Sequence, residues 1–471
     1  MNRFSRQLAL GLLAGFAGCV HYTPHPRPPE TAVADFTARN LEDPGLRSAL
    51  DRGLPSRNAA WPRAQWDRAD LLLAMLYFND SLAQGRATVK AATAAQGTAR
   101  ERPNPTVTLA SEYANQHDGS PLWLWGIATD WLLDTGVRRG ARVTGADLAA
   151  DQARYEFAEL AWKTRGALRR SLVDSLLADR EVALLEGMQS DREDQLSMAR
   201  RQLEVGAAAR GDLDRLIADA LLDEQKLSDA RRRASAARSA LAAAVGVSVK
   251  TLEGVHLEWA ALEAPPAIET PQLLKWRDEA LLERADVRSA VIGYSLAEQS
   301  LRLEVARQYP DVRIGPGYTW DHGVKRLQFN LSVTLPLLNR NQGAIAEAEA
   351  HREEAGAKLE ATVAAAIAET DEGVRQWQLA RARLAQARSG IYDTAQRMYS
   401  EVEHGFAAGG NDRTELVAAK IARTLTELQV LEAVRGAQDA LAGLEDALRR
   451  PIEGPELEVA AGALTTPEVG K

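Results

Sequence analysis

The chain of 471 residues holds a single cysteine, Cys19, and only seven histidines, dispersed along its length. One thiol excludes an intramolecular disulfide, a Cys-only zinc site and an iron–sulfur cluster. No H-E-x-x-H, Walker loop or nucleophile elbow occurs, so nothing in the sequence reads as catalytic, and no cofactor is expected. Basic excess is also missing: 57 Lys+Arg face 65 Asp+Glu, a net charge of −8, which argues against a nucleic-acid partner. Glycine and proline are present in ordinary amounts, excluding collagen-like or wholly disordered chains. Length alone suggests about three domains.

The apolar run Leu8 to Gly18 is too short to cross a bilayer as a helix, which needs about 20 residues. With Arg3 and Arg6 before it, it reads as a signal peptide over residues 1–18. Phe16-Ala17-Gly18-Cys19 resembles the bacterial lipoprotein lipobox. That resemblance implies acylation, palmitate included, at Cys19; Val20 in place of Asp implies sorting to the outer membrane. Residues 19–60, with Pro24, Pro26, Pro28 and Pro29, read as an extended lipidated tether.

Proline is absent between Leu122 and Ala264 and again between Leu337 and Arg450, which allows two very long helical regions. Heptad spacing of Leu148, Tyr155 and Trp162, and of Trp377, Leu384, Ile391 and Met398, marks coiled-coil seams. Ordinary core helices are the plainer alternative. Each region breaks at a comparable place, Val205-Gly206 followed by Asp212, and His404-Gly405 followed by Asn411-Asp412. Glycine ends a helix and Asp or Asn caps the next, so both read as hairpin tips of a tandem duplication.

Before each long helix, residues alternate with period two. Val107, Leu109 and Tyr113, then Trp123, Trp125, Ile127 and Trp131, share faces; Val312, Ile314, Tyr318 and Trp320, then Leu327, Phe329, Leu331, Val333 and Leu335, repeat the pattern. Four strands of membrane-crossing length follow, joined by turns at His117-Asp118-Gly119-Ser120 and Asp321-His322-Gly323. Turn chemistry accounts for His117 and His322 more simply than metal contact. Strands in lipid must close into a barrel, and four cannot. Several chains would therefore share one barrel, with Trp123, Trp125, Trp131, Tyr318, Trp320 and Phe329 facing lipid; a soluble layer with an aromatic core is the alternative. Length arithmetic on the helices pairs Asp212–Val245 with Arg284–Gln308 as one stack, separated by a non-helical interruption, and Asp412–Arg449 with Trp66–Arg100 as the other. Glu347, Glu349, Glu353 and Glu354 read as a solvated helical face.

Assembled in this order, Pro103-Asn104-Pro105, the run Leu335-Pro336-Leu337-Leu338-Asn339-Arg340-Asn341-Gln342-Gly343 and the two tips resemble the TolC-type outer membrane efflux family, in its lipoprotein, heavy-metal-efflux branch. The resemblance implies a mainly α fold with a small β part, in which a long α-helical barrel sits beneath a trimeric, twelve-stranded membrane β-barrel. It implies repeats at 61–264 and 265–452, a flexible tail at 453–471, and a homotrimeric exit duct working with a periplasmic adaptor and an inner-membrane pump of the resistance–nodulation–division type. Tip residues Val205, Gly206, Asp212, His404, Gly405, Asn411 and Asp412 would serve gating and adaptor docking, though the two aspartates also suit helix capping. Ala407 stands where some members carry a gate-tying Arg. The rival reading is a periplasmic coiled-coil adaptor or structural lipoprotein, which would carry lipoyl-like β-domains instead of membrane-length strands.

Overall fold

The computed structural model describes residues 21–55, 57, 60–113, 122–133, 136–259, 261–321 and 323–459. Cys19, the signal sequence, His117 and His322 lie outside these residues. The chain divides after Asn40 into two units. The first contains helix α1 (Pro29–Thr37), which starts on proline and buries no side chain. All that follows concerns the second.

Helix α2 (Pro44–Gly53) is capped by Asp43 and buries Leu46, Ala49 and Leu50. Its leucines join Leu41 and Leu54 in a core built around α3 (Arg68–Phe78), which is apolar nearly all round and buried accordingly. The extended tether expected over 19–60 is thus corrected for residues 41–54, because spaced leucines gain more by burial than a solvated strand would. The strand β1 (Gln65–Trp66) pairs in parallel with β4 (His256–Leu257) beside this core. The tail expected to be flexible from 453 is also packed at its start, where Glu456 and Val459 are buried.

After Asn79 the chain forms α4 (Asp80–Arg100), the hairpin β2 (Thr106–Tyr113) and β3 (Trp123–Leu133), then α5 (Gly136–Glu204) and α6 (Arg210–Val245). The second repeat follows the same plan: α8 (Ala285–Ala306), β5 (Val312–Asp321), β6 (Val324–Val333), α9 (Gln342–Gln386), α10 (Asp393–Ala407) and α11 (Arg413–Leu448). Helix α7 (Thr270–Glu283) lies between the repeats, where a wholly non-helical interruption was expected. It packs Leu273 and Trp276 against Trp377 and Leu441.

Helix α5, 69 residues long, spans about 104 Å at 1.5 Å per residue. Near its start Arg142 donates to Ala99 O of α4 and Arg138 to Ala306 O of α8, both at 3.1 Å. Towards its end Arg192 binds Asp223 of α6 at 2.9 Å, and Asp194 receives Arg413 of α11 at 2.7 Å. So α4 stands over α6 on one side of α5, and α8 over α11 on the other. This corrects the stacks read from length, which paired α6 with α8 and α11 with the Trp66–Arg100 segment. In the structure each stack joins the first and last helices of one repeat. The repeats themselves share cores, since Val173 and Leu177 pack with Leu384, Leu431 and Val434. They are not separate domains, and the length-based count of three fails with them.

Between α9 and α10, residues Ala387–Tyr392 form a π-helical turn. Such a turn inserts one residue and advances the helix face. Trp377 and Leu384 are buried, but Ile391 and Met398 are exposed, and burial resumes one residue later at Tyr399. The heptad extrapolated to Ile391 and Met398 is corrected for that reason.

Candidate membrane and tip sites

The four long strands form one antiparallel sheet in the order β2-β3-β5-β6. Register aligns Leu109, Ile127, Tyr318 and Leu327 in one row, and Trp131, Ile314 and Leu331 in another. Directly paired residues share a face, so every aromatic singled out from sequence lies on one side. Trp123, Trp125, Trp320, Tyr318 and Tyr113 gather at the hairpin-turn end; Trp125 and Trp320 stand 6.3 Å apart and Tyr113 and Trp123 5.1 Å. Phe329 lies further along, and Trp131 is at the helix end. From end to end β3 rises about 34 Å, or about 26 Å at a tilt near 40°, which fits an apolar membrane band of about 25 Å.

The opposite face carries Thr106, Thr108, Glu112, Asp130, Arg313, Thr319, Asp321, Arg326, Gln328, Asn330 and Ser332, with Leu124, Leu132 and Val324 as exceptions. Arg313 binds Asp130 at 2.8 Å and Arg326 binds Asp321 at 2.8 Å across strands. At Gly315 a side chain would meet Thr129 O at 2.9 Å, so glycine keeps β3 and β5 close there. Every residue of β2 and β6 is exposed, and among the described residues each of these strands has one neighbour only. A sheet with one apolar face, one polar face and two open edges is the piece of a closed barrel that lipid demands.

The first tip ends α5 at Glu204, with Gly206 left-handed at φ +75° and Val205 exposed. Asp212 is the third residue of α6 and exposed; the cap position is Ala209, which has no side-chain oxygen to offer. The capping expected of Asp212 is therefore corrected. At the second tip α10 runs through His404 and Gly405 to Ala407, and the left-handed glycine is Gly409 at φ +79°. Gly405 has another use, since an added Cβ would collide with the Asn411 side chain. His404 Nδ1 lies 2.6 Å from Ser400 O, and Asn411 donates to Glu415 at 2.8 Å. Asp412 does cap α11, in a reciprocal box with Glu415.

The tips are staggered. Thr414 Oγ1 lies 4.0 Å from Met198 Sδ, and α5 continues from there to Glu204, about 9 Å further along its axis.

Sequence reasoning missed a buried charge network at the waist. Arg165 donates to Glu456 at 2.7 Å and to Glu445 at 2.8 Å; Arg169 lies 3.1 Å from Glu445 and donates to Gln438 O at 2.9 Å. Arg68 and Arg169 both approach the Trp259 ring, at 4.2 and 5.2 Å. Burial alone would raise the Glu445 carboxyl, but the two guanidiniums outweigh it and hold it below its ordinary value. Glu453, with weaker compensation from Arg68, is pushed up by burial. The available signal was Arg165 and Arg169 at core spacing with Leu168 and Leu172. No cluster of metal-ligating side chains is found among the described residues.

Residues 73–247 and 276–448 match the family described as Outer membrane efflux protein. The chain is 23% identical over 305 residues to the cobalt-zinc-cadmium resistance protein CzcC of Cupriavidus metallidurans, covering 63% of this chain and 70% of that protein. It is 26% identical over 391 residues to Protein CyaE of Bordetella pertussis, covering 75% and 77%. The outer-membrane channel OprN superposes with a TM-score of 0.66 at 16% identity, over 92% of this chain and 98% of that one. With both repeats matched and the apolar sheet in place, the chain belongs to the outer membrane efflux protein family, which the rival reading as a periplasmic adaptor or structural lipoprotein does not fit.

Proposed function

We propose that three copies close one channel and serve as the passive exit duct of a tripartite pump. The observation that carries this is the four-stranded sheet with two open edges and a single apolar face. Copies add strands in fours. Two would give eight, a barrel whose interior is filled by its own side chains. Three give twelve, the smallest closed multiple with room for a lumen. The polar face, with Asp130, Arg313, Asp321 and Arg326, lines that lumen, and α5, α9 and their stacked partners continue it through the periplasm.

In this reading the tips meet a periplasmic adaptor, which links the duct to an inner-membrane pump, as the resemblance implies for the resistance–nodulation–division class. Val205, Gly206, His404, Gly405 and Asn411 belong to that contact. Acylation of Cys19 tethers each copy to the outer membrane. Asp212, exposed and free of a capping role, is the acid open to the passing cargo, whereas Asp412 is committed to its helix. The duct performs no chemistry of its own.

Planar-bilayer recording tests the reading. The purified protein should give steady single-channel steps, and Asp212→Ala should weaken cation preference while Asp412→Ala shifts it less. A protein that never conducts at any concentration overturns the duct; unchanged selectivity in both variants removes Asp212 from the pore.

A further inference from the structure

The apolar face of β6 does not stop with the strand. Leu335 continues the alternation of Leu327, Phe329, Leu331 and Val333, and the chain then exposes Leu337 and Leu338, the latter 98% accessible. This loop is held rather than loose. Asn341 Nδ2 donates to Glu304 O at 2.8 Å and to the Glu304 carboxylate at 2.9 Å, and Thr334 N donates to Asp311 O at 3.4 Å. Together with the end of α8 it encloses a cleft of about 670 Å³. One wall is leucine and ends at Asn339, which exposed Arg340 follows in sequence; the other presents Arg307 and Tyr309. Arg138 also lines it but is occupied by Asp311 and by the carbonyls of Ala306 and Tyr309. Arg307 shares Glu304, and Arg340 makes no ion pair among the described residues.

We propose that this cleft holds an anionic phospholipid, its phosphodiester headgroup between Arg307 and Arg340 and its acyl chains along Leu335, Leu337 and Leu338. The inference rests on the membrane reading above and specifies the leaflet on the helix side. Two observations select lipid over a neighbouring copy. The leucines extend the face that lies in the bilayer, whereas a second copy joins at the β6 edge, beside that face. The charge also fits: two guanidiniums, Arg307 in the cleft wall and Arg340 next in sequence to the lining residue Asn339, together with exposed Tyr309 and an apolar shelf, suit the zone between headgroups and acyl chains.

The test uses the assembled, full-length channel in detergent and fluorescent short-chain phosphatidylglycerol as probe. Saturable binding of one lipid per copy is expected, displaced by unlabelled phosphatidylglycerol but not by inorganic phosphate. Arg307→Gln with Arg340→Gln should weaken it about tenfold, and Arg307→Lys with Arg340→Lys should restore most of it. Equal binding in the Gln variant overturns the proposal, as does displacement by inorganic phosphate at similar concentrations, which would indicate a bare anion site. Cross-linking of Leu338→Cys to the 101–105 segment of a second copy would also overturn it, since protein would then cover the shelf. If wild-type channels conduct in neutral bilayers while no lipid preference is found, only this inference falls; if no channel forms in any bilayer, the duct reading falls first.

Discussion

Asn79 and Arg284 hold equivalent places in the two repeats. Each precedes the upper helix of its stack and donates a side-chain hydrogen bond to the last turn of the helix below, Asn79 to Ala244 O at 2.9 Å and Arg284 to Ala447 O at 3.0 Å. Two residues past each acceptor the backbone turns left-handed, at Gly246 (φ +91°) and Arg449 (φ +51°). Gly246 packs so tightly on Asn79 that a side chain would lie 2.8 Å from the Asn79 Cα. Arg449 meets the same backbone demand without glycine and uses its side chain to bind Glu159 at 2.7 Å. Each tie joins the start of one helix to the end of the helix it stands over.

The two ties should differ in strength. Asn79→Ala removes a helix cap and one carbonyl contact, and should cost about 1–2 kcal/mol. Arg284→Ala also abandons Asp286 and Glu369, both at 2.7 Å and both still touching water, and should cost about 2–3 kcal/mol. Thermal unfolding of the detergent-solubilised protein measures both; a silent Arg284→Ala would refute the tie.

The π-helical turn makes deletion informative. Gly390 lies in the turn with nothing near its Cα face, so removing it should restore regular helix with Trp377, Leu384 and Tyr399 in one seam. Stability should change by about 1 kcal/mol or less. Deleting Ala365 within regular helix rotates everything below it by about 100° and should prevent assembly. Oligomer yield on native gels distinguishes the two; equal damage would contradict the register shift.

The C-terminal segment should act as a strap over buried arginines. Truncation after Ile452 removes Glu456 and leaves Arg165 short of a buried partner, a loss of about 3–5 kcal/mol. Truncation after Val459 retains every contact described and should leave the melting temperature unchanged. Similar melting of both truncated chains would show that the strap is dispensable.

Acid should loosen the waist. Burial would raise Asp286, but hydrogen bonds and charge from Arg284, with Arg449, hold it below the ordinary carboxylate range, as Arg165 and Arg169 do for Glu445. Their stabilisation is complete above the unfolded value and is lost as pH falls through the lowered folded value, below about pH 4. Glu453 and Asp439, raised mainly by burial, act in reverse: their contribution is present at low pH and lost as pH rises through their raised values. Melting temperature should therefore peak in weak acid and drop steeply below it, with Glu445→Gln flattening the acid limb. An acid limb unaltered by that substitution would exclude Glu445 as its source.

The strands and both long helices were legible because period-two alternation and the lack of proline are local signals. Face assignment for Trp123, Trp125, Trp131, Tyr318, Trp320 and Phe329 needed only that alternation. The stacks were not legible: α4 and α8, 21 and 22 residues long, are too alike for length to decide which stands over α6 and which over α11. Asn79 and Arg284 decide the matter through contacts some 165 residues away in sequence. The tip glycine was misassigned at Gly405 because a helical glycine making room for Asn411 looks the same in sequence as one ending a helix. Arg165 and Arg169 escaped notice because charge normally marks a surface, and only their partners on the returning chain make burial tolerable.

The central claim is that a single copy supplies four strands of a barrel it cannot close. Native mass spectrometry of the detergent-extracted protein, with amide exchange read on β2 and β6, tests it most directly. The account predicts three copies with both edge strands protected. A lone copy that stays folded, with β2 and β6 exchanging freely, would contradict it.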